Sequence, residues 1–113
     1  MARVLRGEIY WADLDPVRGH EQGGHRPVVV LSHDIFNERS QTAIVMALTT
    51  QRQRAGYPLT WRLPPAVFFD PDAWVKISQI RTVSTERLTG QPIARLSPRE
   101  TGNLVEGLLE LVG

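Results

Sequence analysis

The sequence contains no cysteine, a single lysine and no apolar run of membrane-spanning length. Without cysteine, the chain cannot form a disulfide scaffold, a thiolate metal site or a cysteine nucleophile, and an intracellular location is favoured. Its first residues lack the apolar core of a signal peptide. The sequence therefore predicts a cytoplasmic protein without a membrane segment.

The charged residues are balanced in number but not in kind. The formal net charge is +1, which argues against a strongly basic protein that coats DNA. Because Lys76 is the only lysine, the other permanently cationic side chains are arginines, which suit bidentate contacts with phosphate and stacking on bases. A codon bias would give the same composition, so only the positions of individual arginines count as evidence.

The length and the aromatic content indicate one small domain with a surface for self-association. A chain of 113 residues, 42% of them hydrophobic, fits a single domain over residues 1–113. Its large aromatic side chains include Trp11, Trp61, Trp74, Phe68 and Phe69. This aromatic area is large for a small core, and we expect a homodimer.

Short apolar segments separated by turn-forming residues predict a series of β-strands. The predicted strands are residues 9–14, 27–32, 42–48, 59–63, 73–77 and 91–96. We expect the first four to form a meander of consecutive antiparallel neighbours. Residues 33–37 are expected to form a turn or a single helical turn.

The C-terminal segment has the signature of a helix start. Ser97 is placed to cap the helix, Pro98 suits its first position, and Glu100 completes a capping box. An apolar stripe follows at helical spacing and consists of Leu104, Val105, Leu108, Leu109 and Val112. Several strands followed by one helix predict a mainly β fold, a small antiparallel barrel with a C-terminal helix.

The polar residues do not support the two commonest kinds of catalytic site. His20, His25 and His33 are spaced irregularly on predicted loops, with no paired carboxylates near them, so no metal site is predicted. No serine lies on a recognisable strand-to-helix elbow, which argues against a serine nucleophile. The chemistry must therefore come from other side chains.

Arg26 at the start of the second strand and Thr49 at the end of the third are the remaining candidates. In an antiparallel pair the start of one strand lies beside the end of the next, so the guanidinium and the hydroxyl converge. Together they would bind a phosphate whose negative charge grows in a transition state. The alternative is structural, with Arg26 paired to Glu21 or Asp13 and Thr49 bonded to the backbone.

Several segments resemble the MazF/PemK toxins of bacterial toxin-antitoxin modules. The first are residues 6–16 (RGEIYWADLDP), 19–27 (GHEQGGHRP) and 28–32 (VVVLS), and the later ones are 47–51 (ALTTQ), 56–58 (GYP) and 79–82 (QIRT). The resemblance covers nearly the whole chain in the right order. It implies a dimeric, SH3-like barrel that cleaves single-stranded RNA, usually messenger RNA, at short sequences without a metal or other cofactor.

The resemblance also implies catalytic roles. The essential arginine and threonine of the family correspond to Arg26 and Thr49, and its loop glutamate corresponds to Glu21. In the implied mechanism the ribose 2′-OH attacks the adjacent phosphorus, Arg26 stabilises the phosphorane and protonates the leaving oxygen, and Thr49 binds a phosphoryl oxygen. Glu21 takes the 2′ proton or orients Arg26, and His25 is a second candidate for the base.

Residues beside this centre are expected to contact RNA. They are His20, Gln22, His25, Gln51, Arg52, Arg54, Gln79 and Arg81. Arg52 and Arg54 would line the RNA path, although a solvated basic loop would look the same in the sequence. His20 departs from the family pattern, where a small hydroxyl residue is common, so the base preference is expected to differ. DNA lacks the 2′-OH and should resist cleavage.

One protein partner is implied, an antitoxin whose acidic, disordered tail lies over the RNA groove. Two other functions remain open. A gyrase-binding toxin of the CcdB type shares the barrel without a catalytic constellation, and the presence of Glu21, Arg26 and Thr49 argues against it. The other is an inactive barrel that binds RNA or peptides.

Overall fold

Seven strands and two helices lie in the described parts of the chain. The structure is a computed structural model that describes residues 3–15, 19–20, 23–64 and 72–113. The strands are β1 (Glu8–Asp13), β2 (His25–Val30), β3 (Thr42–Thr49), β4 (Thr60–Arg62), β5 (Trp74–Lys76), β6 (Arg81–Ser84) and β7 (Leu88–Arg95). The helices are α1 (Asp34–Ser40) and α2 (Pro98–Val112), and 3₁₀ turns at Ile77–Gln79 and Thr85–Arg87 precede β6 and β7.

The strands form one antiparallel sheet in the order β4-β5-β3-β2-β1-β7, with β6 also paired to β3. β2 occupies one edge of the eight-residue strand β3, and β5 and β6 share its other edge. Since β4 and β7 stand at the ends of this order, the described strands form an open, barrel-like sheet. The prediction of a mainly β, antiparallel fold with a C-terminal helix is confirmed.

Three local predictions are corrected by the structure. The meander fails at its fourth member, because β4 pairs with β5 and β5 is the strand that pairs with β3. Helix α1 has seven residues, so it exceeds the single turn that was expected. β6 forms a strand of its own after a 3₁₀ turn, and β7 begins at Leu88 rather than at residue 91. These features depend on pairing between distant segments, which local patterns do not encode.

The sheet has an apolar core on each face, because successive side chains of a strand point to opposite sides. The first core lies under α2 and includes Ile9, Val29, Met46, Val75 and Leu104. The second core includes Tyr10, Ala12, Val28, Val45 and Ala47. A side chain can therefore be assigned to one face from its position relative to these residues.

Helix α2 begins as predicted but packs less of its apolar stripe than expected. The Glu100 N–H donates to Ser97 Oγ at 3.1 Å, and the Ser97 N–H donates to Glu100 Oε1 at 2.8 Å. Leu104 is fully buried, whereas Leu109 and Val112 are 57% and 75% exposed. Only the first part of the stripe therefore packs on the sheet. Among the described residues, no helix is long and apolar enough to span a membrane.

Tyr10 provides a test of the second core through its response to pH. Its hydroxyl donates to Glu8 Oε1 at 3.0 Å, and burial together with this carboxylate raises the pKa of Tyr10 from 10.0 to about 12. The contribution of protonated Tyr10 to stability is therefore present below pH 10 and is lost as the pH rises towards 12. Tyr10→Phe should cost about 1 kcal/mol at about pH 9 and less at about pH 11.5, measured by denaturant unfolding. An equal cost at both pH values would contradict this assignment.

Candidate active site

Arg26 and Thr49 are brought together by the register of β2 and β3. Val28 lies opposite Ala47 in this antiparallel pair. Continuing the register by two residues towards the end of the sheet places Arg26 opposite Thr49. Because side chains alternate along a strand, both point to the same face as Val28 and Ala47, that of the second core. Arg26 and Thr49 therefore lie two positions beyond the last paired residues, Val28 and Ala47, on the same face of the sheet.

The Arg26 guanidinium is held by a hydrogen bond to the loop that precedes β2. Its Nε–H donates to the carbonyl oxygen of Gly23 at 2.7 Å. This bond uses one of the five N–H donors of the guanidinium and fixes the plane in which the others lie. Within the described residues, the ion pairs are Arg3–Glu38 and Arg62–Asp72, so Asp13 does not pair with Arg26 there. A pairing with Glu21 falls outside the described residues.

Thr49 is buried, with only 4% of its surface exposed. Its Oγ1 accepts the backbone N–H of Gln51 at 3.2 Å, which is the strand-end hydrogen bond anticipated as the structural alternative. A hydroxyl can accept this bond and still donate its own proton to another oxygen. The backbone bond therefore orients the hydroxyl and is compatible with phosphate binding.

Arg81 lies on the same face as Arg26 and Thr49. It is opposite Val45 in the β3–β6 pair, and Val45 shares its face with Thr49 four residues further along β3. Its Nη1 donates to the carbonyl oxygen of Leu14 at 3.4 Å. Gln79 ends the 3₁₀ turn just before β6 and is partly buried. The face of the sheet that carries the second core thus has two arginines and a buried hydroxyl, a combination that favours an anionic ligand.

His25 points to the opposite face from its neighbour Arg26. Its ring stacks on the indole of Trp11, with centroids 5.2 Å apart and an angle of 11° between the planes. Trp11 is 36% exposed, so the pair forms an aromatic surface in contact with solvent. Trp11 is not among the residues predicted from the sequence to contact RNA, although an exposed aromatic residue that alternates with buried ones on β1 is a usable signal.

The other predicted site residues that the structure describes are exposed in turns and loops. Glu21 and Gln22 lie outside the described residues. His20 is exposed in a turn, and Gln51, Arg52 and Arg54 are exposed in the segment that follows Thr49. Arg52 and Arg54 line one shallow concavity, and Gln79 and Arg81 line another.

A more voluminous cavity of about 880 Å³ lies away from this region, between α1 and the start of α2. Its walls include Arg6, His33 and Arg95 and contain none of the predicted site residues that the structure describes. Within the described residues, no group of three or more histidine, aspartate or glutamate side chains is arranged to hold a metal ion.

The fold is similar to that of solved MazF toxin structures. A MazF structure from Deinococcus radiodurans superposes with a TM-score of 0.86 and 25% identity over 100% of this chain and 99% of that one. One chain in each of two toxin–antitoxin complexes has the same fold. The MazE–MazF complex from D. radiodurans has a TM-score of 0.78 at 19% identity over 100% and 98% of the two chains. An endoribonuclease from a Mycobacterial species, bound to its cognate antitoxin, has 0.77 at 22% over 97% and 95%.

The sequence relationship fixes the family. The profile of the family described as PemK-like, MazF-like toxin of type II toxin-antitoxin system matches residues 5–112. Endoribonuclease EndoA of Bacillus subtilis is 47% identical over 87 residues, which are 76% of this chain and 75% of EndoA. The chain belongs to the PemK-like, MazF-like toxins of type II toxin-antitoxin systems. The predicted class, an endoribonuclease toxin, is confirmed, and the gyrase-binding alternative is not supported.

Proposed function

We propose that this endoribonuclease toxin cleaves single-stranded RNA, messenger RNA above all, at the end of the sheet that carries Arg26 and Thr49. The observation that best supports this site is the β2–β3 register, which, continued two residues past Val28 and Ala47, puts Arg26 opposite Thr49 on one face. Arg81 adds a second cation on that face. In this proposal residues 1–113 act as one catalytic domain.

The RNA supplies its own nucleophile in the proposed reaction. The ribose 2′-OH attacks the adjacent phosphorus, and the bond from phosphorus to the 5′-oxygen breaks. The products carry a 2′,3′-cyclic phosphate and a 5′-OH. Arg26 stabilises the negative charge of the phosphorane and protonates the leaving oxygen, while the Thr49 hydroxyl donates a hydrogen bond to a phosphoryl oxygen. No metal or other cofactor takes part.

Glu21 is the proposed base that removes the 2′ proton. The alternative base, His25, projects from the opposite face to Arg26 and stacks on Trp11. This placement favours a binding role for His25, in which its outer ring face stacks on a base of the RNA. Other contacts along the RNA path come from His20, Gln22, Gln51, Arg52, Arg54, Gln79 and Arg81. The exposed arginines neutralise backbone phosphates in the manner of single-strand binding surfaces.

The protein is proposed to act as a cytoplasmic homodimer that pairs with an antitoxin. Exposed apolar side chains that a second copy would cover include Tyr57, Leu59, Leu109, Leu111 and Val112. Structures with this fold include MazE–MazF complexes. The cationic face around Arg26 and Arg81 would attract an acidic, disordered antitoxin tail by the same charge that attracts RNA.

Incubation of the purified protein with a long mixed-sequence RNA in EDTA tests the proposed reaction. Discrete fragments are expected, with 5′-OH ends and 2′,3′-cyclic phosphate ends, because the 2′-oxygen becomes bonded to phosphorus. The matched control is the same sequence with 2′-deoxyribose at the cleaved positions, which should stay intact. Cleavage of the deoxy substrate, or fragments with 3′-OH ends, would contradict the mechanism.

A further inference from the structure

Two arginines converge on three consecutive backbone carbonyls at the start of the loop between β1 and β2. Nη1 of Arg87 donates to the carbonyl oxygen of Asp13 at 3.0 Å and also to that of Asp15. Nη1 of Arg81 donates to the carbonyl oxygen of Leu14 at 3.4 Å. Hydrogen bonds from a charged donor are stronger than neutral ones, so these bonds restrain the backbone where the loop begins.

Sheet pairing explains why Arg87 reaches this point. Ala12 lies opposite Leu88 in the β1–β7 pair, and the residue before Leu88 therefore faces Asp13. Arg87 closes the 3₁₀ turn that precedes β7 and is partly buried. The same Nη1 carries two N–H bonds, one for each of the two carbonyls it contacts.

The start of the loop is bonded in turn to its end. The Leu14 N–H donates to the carbonyl oxygen of Gly24 at 3.0 Å, and the Gly24 N–H donates to Asp15 Oδ1 at 2.9 Å. Gly24 has φ +81°, a left-handed conformation that suits glycine. The adjacent Gly23 carbonyl is the one that accepts the Nε–H of Arg26. A continuous series of hydrogen bonds thus joins Arg87 to Arg26 through the two ends of the loop.

We infer that Arg87 is a positioning residue for RNA cleavage, which acts by fixing the ends of the β1–β2 loop and, through them, the guanidinium of Arg26. The inference rests on the proposed function of Arg26. It assigns Arg87 no contact with RNA. Loss of Arg87 should therefore lower kcat rather than weaken RNA binding, because the transition-state contact of Arg26 is misaligned while the phosphate-binding surface remains.

The test compares Arg87→Ala with Arg99→Ala, which removes the same charge from the exposed start of α2, on the other face of the sheet. We expect kcat of Arg87→Ala to fall by about 10- to 100-fold, with KM changed no more than in Arg99→Ala. Arg87→Lys, which keeps a cationic donor, should recover part of the loss. An equal effect of the two alanine variants on kcat would overturn the inference.

A second measurement, made without RNA, follows the hydrogen bonds themselves. In Arg87→Ala the backbone amides of Leu14 and Gly24 and the Nε–H of Arg26 should exchange with solvent at least about tenfold faster, whereas core amides of β3 keep their rates. Unchanged exchange at these three groups would overturn the inference even if activity fell. If exchange is faster in Arg87→Ala but the parent protein cleaves no RNA, the proposed function is rejected while the restraint of the loop by Arg87 is established.

Discussion

Replacing Arg26 with alanine is expected to lower the rate of RNA cleavage by about 10³-fold. Arg26 shares its face of the sheet with Thr49, and its Nε–H bond to the Gly23 carbonyl oxygen keeps the guanidinium oriented before substrate arrives. A donor that is already oriented stabilises developing charge without a reorganisation cost at the moment of reaction. Single-turnover cleavage of a fluorescent RNA under saturating protein measures the loss directly.

Two companion variants separate charge from geometry in this result. Arg99→Ala carries the same change in net charge on the opposite side of the sheet and should retain nearly full activity. Arg26→Lys keeps the positive charge but loses the planar set of donors, so it should recover only a small part of the rate. Near-parental cleavage by a folded Arg26→Ala variant would show that the catalytic centre lies elsewhere.

Local patterns were sufficient to predict most strands and the start of α2. The run of β-branched residues before Leu31 predicted β2, and Ser97 with Glu100 predicted the helix cap that is observed. These features depend on neighbours in the sequence, such as side-chain alternation and hydrogen bonds within one turn. The strands that pair with β3 could not be predicted in this way, because β5 and β6 come from distant segments of the chain and pair with different parts of the same edge.

The same distinction applies to the site. Arg26 and Thr49 were predicted as a pair because β2 and β3 are consecutive strands, joined through α1, whose pairing is the simplest one available. Arg81 was predicted only as an RNA contact, since its position on the face of Thr49 requires the β3–β6 register. Arg87 could not be predicted from the sequence, because its acceptors are backbone carbonyls, which every sequence supplies.

The closure of the β1–β2 loop also explains why the segment of residues 19–27 was informative about the site. The loop between β1 and β2 returns to its starting point, where Gly24 bonds to both Leu14 and Asp15. Arg26 follows directly, so the loop that carries Glu21 begins and ends beside the proposed catalytic arginine. A short segment of sequence therefore contains two of the three residues proposed to act in catalysis, Glu21 and Arg26.

Substitution of Thr49 by valine is expected to slow cleavage by about 10²-fold while leaving the fold intact. Valine has nearly the same shape, but it removes the acceptor of the Gln51 N–H and the hydroxyl proposed to donate a hydrogen bond to a phosphoryl oxygen. Loss of this buried bond should cost about 1 kcal/mol of stability, measured by denaturant unfolding. Single-turnover cleavage measures the larger effect on rate.

Thr49→Ser is the matched control, because it retains the hydroxyl and loses only a buried methyl group. Its stability should fall by about 1 kcal/mol, similar to that of the valine variant, whereas its cleavage rate should stay within about tenfold of the parent. Equal rates for the serine and valine variants would assign the hydroxyl a purely structural role at the end of β3. A large difference in rate at similar stability would show that the hydroxyl itself contributes to cleavage, through the phosphate or through its bond to the Gln51 N–H.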